Sequence, residues 1–350
     1  MTHKGHQVVL VQQVLNNMKE VKLDFNDLLI VPKETTSINS RSEIDPYIHG
    51  MLPIITAPMD TVISKENVEL FITNNINVCL PRNIESDYGF KSYSVTQMTE
   101  LLNQNQNKLK IDYYLIDVAN GHMSSVLALT KKIKKHNPKI KLMVGNIANS
   151  ETYRLLSLAG ADYIRVGIGN GGGCLTTQST GVGYPMASLV KECYDVSTTL
   201  KKPAYIVADG GMQTYSDVIK ALALGADYVM LGSILNKSLE SAGDNYLWKK
   251  IKVSQSTAEF LYKLGLPIYK KFRGMSTKEV QKKWGATKLK TSEGVIRFRR
   301  VEYKLGQWVE NFEDYLRSAM SYTNSKTLKD FIGNVELVEI TNNAYKRFNK

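Results

Sequence analysis

Short runs of β-branched and other apolar residues recur along the chain, and between them lie longer stretches in which apolar positions return every three or four residues. The short runs predict strands and the longer stretches predict helices. Strand candidates fall at residues 54–56, 77–80, 91–95, 113–118, 141–144, 163–166, 204–207 and 228–231, eight in all. Helical stripes between them include Leu127, Leu129 and Ile133, then Leu155, Leu156 and Leu158, then Val218, Ile219, Leu222 and Leu224. An internal echo supports a repeated unit: Ala159-Gly160-Ala161-Asp162-Tyr163-Ile164 and Leu224-Gly225-Ala226-Asp227-Tyr228-Val229 each end a helix with glycine and open a strand. Strands alternating with helices imply a parallel sheet, and eight such units imply an α/β protein built as a (β/α)8 TIM barrel.

From about residue 236 the repeat stops. A basic, less periodic stretch follows at 249–303, and a last helix is expected over 308–320. These segments read as a flap and a C-terminal segment of the same domain, so residues 21–350 form a single barrel and residues 1–20 an N-terminal extension. Val11, Leu15 and Met18 are spaced to make a short amphipathic helix of that extension.

With 350 residues and 43% hydrophobic content, the chain can bury a substantial core. The net charge of +12 raises the question of a polyanionic partner. Its lysines and arginines are dispersed, however, and Lys131, Lys132, Lys134 and Lys135 sit among apolar residues as the wet face of a helix. No aromatic or glycine-rich RNA-binding pattern accompanies them, so nucleic acid is not an expected partner. Membrane insertion is not expected either, because no apolar run nears the roughly 18 residues a span needs, and the one at 54–57 is bounded by Pro53 and Pro58. The start of the chain, with His3, Lys4 and His6, has no apolar signal-peptide core. The three cysteines, Cys79, Cys174 and Cys193, lack metal-type spacing. Together these features suit a cytoplasmic protein.

In a TIM barrel the chemistry sits on the loops that follow the strands. After the sixth candidate strand runs Gly167-Ile168-Gly169-Asn170-Gly171-Gly172-Gly173-Cys174-Leu175-Thr176-Thr177, a glycine density that strand or helix interiors tolerate poorly. A cysteine there is accessible, and nearby backbone dipoles favour its thiolate, which makes Cys174 a candidate nucleophile. Position alone leaves a simple packing role equally open. No histidine follows it closely, and His122 is the one histidine placed at a strand end, so a Cys-His protease arrangement has little support. Asp209-Gly210-Gly211 after the seventh strand and Gly232-Ser233 after the eighth stand where barrels commonly bind phosphate. Asp209 reads as a ribose-hydroxyl acceptor or as a turn residue, Asp117 as a ligand acceptor or a turn former, and Glu293 by itself as a polar loop residue.

Taken in order, several segments carry a more specific signal: Phe25-Asn26-Asp27 with Leu28 to Pro32, Ser40-Arg41-Ser42-Glu43, Pro58-Met59-Asp60-Thr61-Val62, the cysteine loop with Thr180-Gly181-Val182-Gly183-Tyr184-Pro185, Asp209-Gly210-Gly211-Met212, and Arg273-Gly274-Met275-Ser276. From about Val21 onward the chain resembles the IMP dehydrogenase/GMP reductase family. Asp117-Val118-Ala119-Asn120-Gly121, Ser40-Arg41-Ser42-Glu43 and the short stretch between Met275 and Ser292, which has no Arg-Tyr pair, are similar to the reductase branch.

That resemblance implies reductive deamination of GMP to IMP and ammonia with NADPH, through a covalent thioimidate on Cys174. The alternatives are a compact IMP dehydrogenase without its regulatory insert and a purine-binding barrel without turnover. Thr176 and Glu293 match the family's proton-transfer pair. Asp209 would hold the ribose, and Gly210, Gly211, Gly232, Ser233, Gly274, Met275, Ser276, Ser292 and Gly294 would lie against the nucleotide. On the cofactor side stand Arg82, Asp117, Val118, Ala119, Ile168, Gly169, Met275, Lys290 and the run Ser318, Ala319, Met320 and Ser321. Ser40 and Arg41 match residues that reach in from a neighbouring subunit, which implies a homotetramer. Carbonyls of Gly169, Gly171 and Cys174 correspond to a potassium site. The chain departs from the family at Gly172, where a phosphate-binding serine is usual, at Gly173, where a small β-branched residue is usual, and at Thr177, where reductases carry arginine; Gly232-Ser233 is closer to the dehydrogenase form.

Overall fold

A computed structural model describes residues 21–84, 86–104, 109–283 and 291–348. The expected N-terminal helix and Lys290 lie outside the described residues. Eight strands form one parallel sheet: β1 (Ile54–Thr56), β2 (Cys79–Leu80), β3 (Phe90–Tyr93), β4 (Tyr113–Asp117), β5 (Lys141–Ile147), β6 (Tyr163–Val166), β7 (Tyr205–Asp209) and β8 (Tyr228–Leu231). Their spatial order is β1-β8-β7-β6-β5-β4-β3-β2. The ends meet through a parallel bridge between Ile55 and Asn77, with Thr56 N donating to Asn77 O at 2.9 Å and Asn77 N to Ile54 O at 3.0 Å. The predicted (β/α)8 barrel is therefore the fold, and each predicted strand is present.

The period-two geometry of a strand divides the core in two. Ile55, Cys79, Phe90, Leu115, Met143, Tyr163, Val207, Tyr228 and Met230 point inward and fill the barrel. Their neighbours, such as Ile116, Val144, Ile164, Ala208 and Val229, point outward into a larger core shared with the helices. The repeated Gly-Ala-Asp segment has a structural reason. Asp162 N donates to Leu142 O while its carboxylate accepts Leu142 N at 2.9 Å, and Asp227 makes the same pair of bonds with Ile206, the carboxylate bond being 2.7 Å. Each aspartate thus pins the start of its own strand to the strand before.

Two surface expectations need correction. In helix Ser150–Leu158 the buried stripe is Tyr153, Leu156 and Ser157, whereas Leu155 and Leu158 are exposed, because positions 153, 156 and 157 share one face of the turn. Lys134 is not part of a solvated face: its ammonium donates to Asp162 at 2.7 Å and to the carbonyl of Ile140 at 2.7 Å, while Lys131, Lys132 and Lys135 are exposed.

The stretch expected to be an irregular flap contains an antiparallel sheet of four strands, Asn245–Leu247, Ile251–Val253, Ile268–Arg273 and Ile296–Arg300, with helix Gln255–Lys263 against it. Its own small core is Leu239, Ala258, Ile268 and Val301. Arg273 ties this sheet to the barrel by donating to both carboxylate oxygens of Asp60, at 2.7 and 2.6 Å, on the loop after β1. The helix expected to be the last, Leu305–Tyr322, buries Trp308, Phe312, Leu316 and Met320, and two short helices, Leu328–Phe331 and Asn342–Phe348, follow it. Strand Leu28–Ile30 pairs antiparallel with Leu337–Glu339, so the two ends of the described chain clasp each other. Among the described residues no helix is long and apolar enough to cross a membrane.

Candidate active site

At the carboxyl ends of the strands the inward register turns polar. Two residues beyond Leu115, Tyr163 and Val207 stand Asp117, Arg165 and Asp209, which form a charged layer capping the apolar interior. Arg165 donates to Asp117 Oδ1 and to Asp209 Oδ2, both at 2.8 Å, and Asn146 Nδ2 donates to Asp209 Oδ2 at 2.7 Å. Burial opposes the Arg165 charge, but Asp209 and Asp117 outweigh it and hold the guanidinium above its ordinary range. Arg82 joins the layer through an ion pair with Asp117 at 3.3 Å. Asp117 and Asp209 are thus neither turn nor cap residues. They are acceptors fixed by a shared guanidinium at the floor of a cavity.

That cavity has a volume of about 720 Å³, within the range of small-molecule sites. Its walls include Asp117, Val118, Ala119 and Arg82 on one flank, and Asp209, Gly210, Gly211, Gly232 and Ser233 on another. Gly169, Gly171, Cys174, Thr176, Gly274, Met275, Ser276 and Glu293 also line it.

Two further backbone segments, around Gly274 and at residues 293–295, hold the cysteine loop. Cys174 bridges to Gly294, Leu175 N donates to Glu293 O at 2.6 Å, Val295 N to Gly173 O at 3.1 Å, and Gly274 N to Val295 O at 3.0 Å. Gly274 is needed where these segments cross, since a Cβ there would stand 2.3 Å from Gly173 O, while one on Gly173 would press at 3.0 Å on the Phe272 ring. The departure at Gly173 therefore leaves room for Phe272.

This crossing makes a three-membered chain of polar groups. Cys174 Sγ donates to Thr176 Oγ1 at 3.2 Å, and Thr176 Oγ1 donates to Glu293 Oε2 at 2.5 Å. Residues 117 positions apart are brought into contact by the sheet of the former flap. Cys174 is half-buried, whereas Cys79 and Cys193 are buried. Burial pushes the Cys79 thiol up to about 12 and raises Cys193 as well, which suits packing rather than chemistry. His122 accepts from Ala148 N at 3.1 Å and shares a hydrogen bond with Thr152 at 2.9 Å, so it serves the loop around it.

Other predicted positions lie apart from the cavity. Ser292 bonds to Gly294 O at 2.9 Å and Gly294 is buried behind Glu293, so both shape the relay segment without lining the cavity. Ile168 is buried. Ser40 caps the turn Arg41–Glu43, which packs against helix Leu305–Tyr322. Ser318, Ala319 and Ser321 lie on that helix, half-buried, with Met320 in the core. Neither group lines the cavity of its own chain. Sequence reasoning missed Arg165, Asn146, Met59, Gln281 and Thr291. Two of these carried a signal: Arg165 as a charge inside the apolar strand Tyr163-Ile164-Arg165-Val166, and Met59 within the segment Pro58-Met59-Asp60-Thr61-Val62, to which no site role was given.

A (β/α)8 barrel whose mouth combines paired acidic acceptors, a glycine-lined wall and a thiol joined to a hydroxyl and a carboxylate has its small-molecule cavity where barrels of this class carry theirs, at the carboxyl ends of the strands. The IMP dehydrogenase / GMP reductase domain matches residues 93–349. GMP reductase 2 of Homo sapiens is 32% identical over 92% of this chain and 95% of its own length. GMP reductase 2 of Mus musculus is 30% identical with the same coverage, and GMP reductase of Phytophthora infestans is 30% identical over 95% of this chain and 94% of its own. The chain belongs to the IMP dehydrogenase/GMP reductase family.

Proposed function

We propose that this chain is a GMP reductase, converting GMP to IMP and ammonia with NADPH. The observation that carries the reading is the Cys174–Thr176–Glu293 chain of hydrogen bonds, set between the cavity flank that holds Asp117, Val118 and Ala119 and the flank that holds Asp209, Gly210 and Ser233. The second flank suits a ribose phosphate, with Asp209 as acceptor for the sugar hydroxyls. The first flank, with Arg82, Met275 and Ser276, suits the nicotinamide nucleotide.

Cys174 Sγ attacks C2 of the guanine ring, and its proton passes through Thr176 Oγ1 to Glu293. Glu293 returns the proton to the 2-amino group, which leaves as ammonia as the C2–N bond breaks and a C2–S thioimidate remains. Covalent attack divides a hard displacement into two easier steps, and a positioned acid contributes about 10²–10⁴-fold to expulsion of the amine. Bound NADPH supplies the hydride that reduces C2. Cys174 then departs as thiolate, and Asp209 and the glycine wall hold the nucleotide throughout.

A potassium ion would take hard oxygen ligands from the Gly169, Gly171 and Cys174 carbonyls. Gly171 O already accepts Cys174 N at 2.9 Å, which leaves it one lone pair. Ser40 caps a turn that packs on the helix carrying residues 318–321, outside the cavity; in this reading the chain forms a homotetramer in which that face completes a neighbour's cofactor site. The same reading makes the protein a cytoplasmic enzyme of purine interconversion, with residues 21–350 as one catalytic unit.

Mixing the protein with GMP and NADPH is expected to lower absorbance at the reduced-cofactor band in step with ammonia release. A rise in that band with IMP and NAD, and none of the first change, would replace reduction by the oxidative reaction of the family. Neither change would reduce the reading to nucleotide binding.

A further inference from the structure

Among the described residues two cationic side chains line the cavity, Arg82 and Arg165, and both are ion-paired with Asp117 or Asp209. The wall made by Gly172, Gly232 and Ser233 contributes no charged side chain of its own. Arg299 reaches this wall from strand Ile296–Arg300 of the antiparallel sheet. Its guanidinium carbon lies over the Phe272 ring, 4.6 Å from the centroid. Its Nη2 is 2.9 Å from the point where a Cβ on Gly172 would stand, and Ser233 Oγ is 3.7 Å from the same point. Glycine at 172 therefore leaves open the space that the guanidinium occupies.

The Nε of Arg299 is buried with no hydrogen-bond partner among the described residues. Arg165 and Arg273 also leave Nε without a hydrogen-bond partner, but both are ion-paired with carboxylates, whereas no carboxylate pairs with Arg299 among the described residues. Burial and then the like charge of Arg297 lower its pKa, with Glu302 opposing them more weakly. A partly desolvated cation with an unused donor, next to a hydroxyl and a backbone stripped of side chains, is complementary to a compact anion. An arginine fork presents two parallel donors to phosphate, a geometry that lysine cannot copy.

We infer that Arg299 is a substrate-binding residue, a clamp that holds the 5′-phosphate of the nucleotide against Ser233 and the backbone at Gly172. This rests on the reading of the cavity as a purine-nucleotide site and adds to it the group that recognises the phosphate. It assigns part of the specificity to the sheet inserted after the barrel, through a residue beyond the cysteine loop and beyond the barrel strands. The Phe272 ring under the guanidinium limits its freedom to move away from the wall.

The test is calorimetric titration of GMP and guanosine into the wild type, Arg299→Gln and Arg299→Lys, with thermal melting as a check on folding. Glutamine keeps a flat polar group over Phe272 and removes the charge. GMP is expected to bind about 10- to 100-fold more weakly to Arg299→Gln, the range that a charge-assisted hydrogen bond supplies, with guanosine affinity changing less than about threefold and the lysine variant falling between. Gly172→Ala, which leaves Arg299 in place but sets a methyl group against its Nη2, is expected to show the same selective loss at smaller size. GMP bound equally by the wild type and Arg299→Gln overturns the clamp and leaves GMP reduction standing. A wild type that binds neither purine overturns the functional reading instead, and inorganic phosphate followed by its nuclear resonance linewidth then decides for Arg299: broadening by the wild type that Arg299→Gln abolishes upholds the clamp, whereas equal broadening, or none in either, overturns it.

Discussion

Replacing Gly274 by alanine tests whether the crossing of three backbone segments is what positions the thiol. The added Cβ would stand 2.3 Å from Gly173 O, 3.0 Å from Gly294 Cα and 3.2 Å from Gly173 C. Relaxed contacts of this kind lie near 3.5 Å, so the segments must part by about 1 Å, and backbone atoms cannot rotate aside as a side chain would. Gly173 adjoins Cys174 and Gly294 adjoins Glu293, so the displacement reaches both ends of a relay whose links are 3.2 and 2.5 Å. A misplacement of about 1 Å at reacting groups costs on the order of 10²-fold in rate, while overpacking costs about 1–3 kcal/mol of stability, well below the total of a folded domain. The expected result is therefore a folded protein with kcat for GMP reduced about 100-fold. Cofactor absorbance gives the rate, and a thermal melt gives the stability. Gly265→Ala is the control: its φ is +78° with no atom within 4 Å of the new methyl group, so it should lose about 1–2 kcal/mol to backbone strain and keep its rate. Turnover of Gly274→Ala within threefold of the wild type would refute the claim that this crossing sets the reactive geometry.

Three further outcomes are expected. Cys174→Ala should lose turnover and still bind GMP in calorimetry; retained turnover rules out covalent attack. Glu293→Gln should lower kcat by about 10²–10⁴ with a smaller change in KM, and a change in KM alone would remove Glu293 from the relay. Burial pushes the Asp227 carboxyl from 3.8 up to about 7, so the folded chain keeps a proton there that the unfolded chain has released; the associated stability is present below pH 3.8 and is lost as pH rises to about 7. Asp227→Asn, which retains an acceptor for Ile206 N, should thus gain in melting temperature relative to the wild type between pH 5 and pH 8, measured by scanning fluorimetry; a difference that does not vary with pH contradicts the assigned burial.

The barrel was legible in the chain because its determinants are local and repeated. Period-two and period-3.6 spacing sets each strand and helix, and the Gly-Ala-Asp echo at 162 and 227 marks two places where one strand is pinned to the last. The cysteine loop was legible through its glycines, and Asp117 and Asp209 through their places at strand ends. The antiparallel sheet was not, since in a strand such as Ile296-Arg297-Phe298-Arg299-Arg300 the alternation spans only four residues and its apolar members Ile296 and Phe298 are exposed, so no buried face marks it. Nor was the site as a set of contacts. Glu293 meets Thr176 across 117 residues, Arg273 meets Asp60 across 213, and Arg165 joins two aspartates from different strands. Spacing along a chain records which face a residue takes within its own element. Which faces meet is decided by closure of the barrel and by the sheet that folds back over its mouth, and hydrogen-bonding partners so distant in sequence exist only once both have formed.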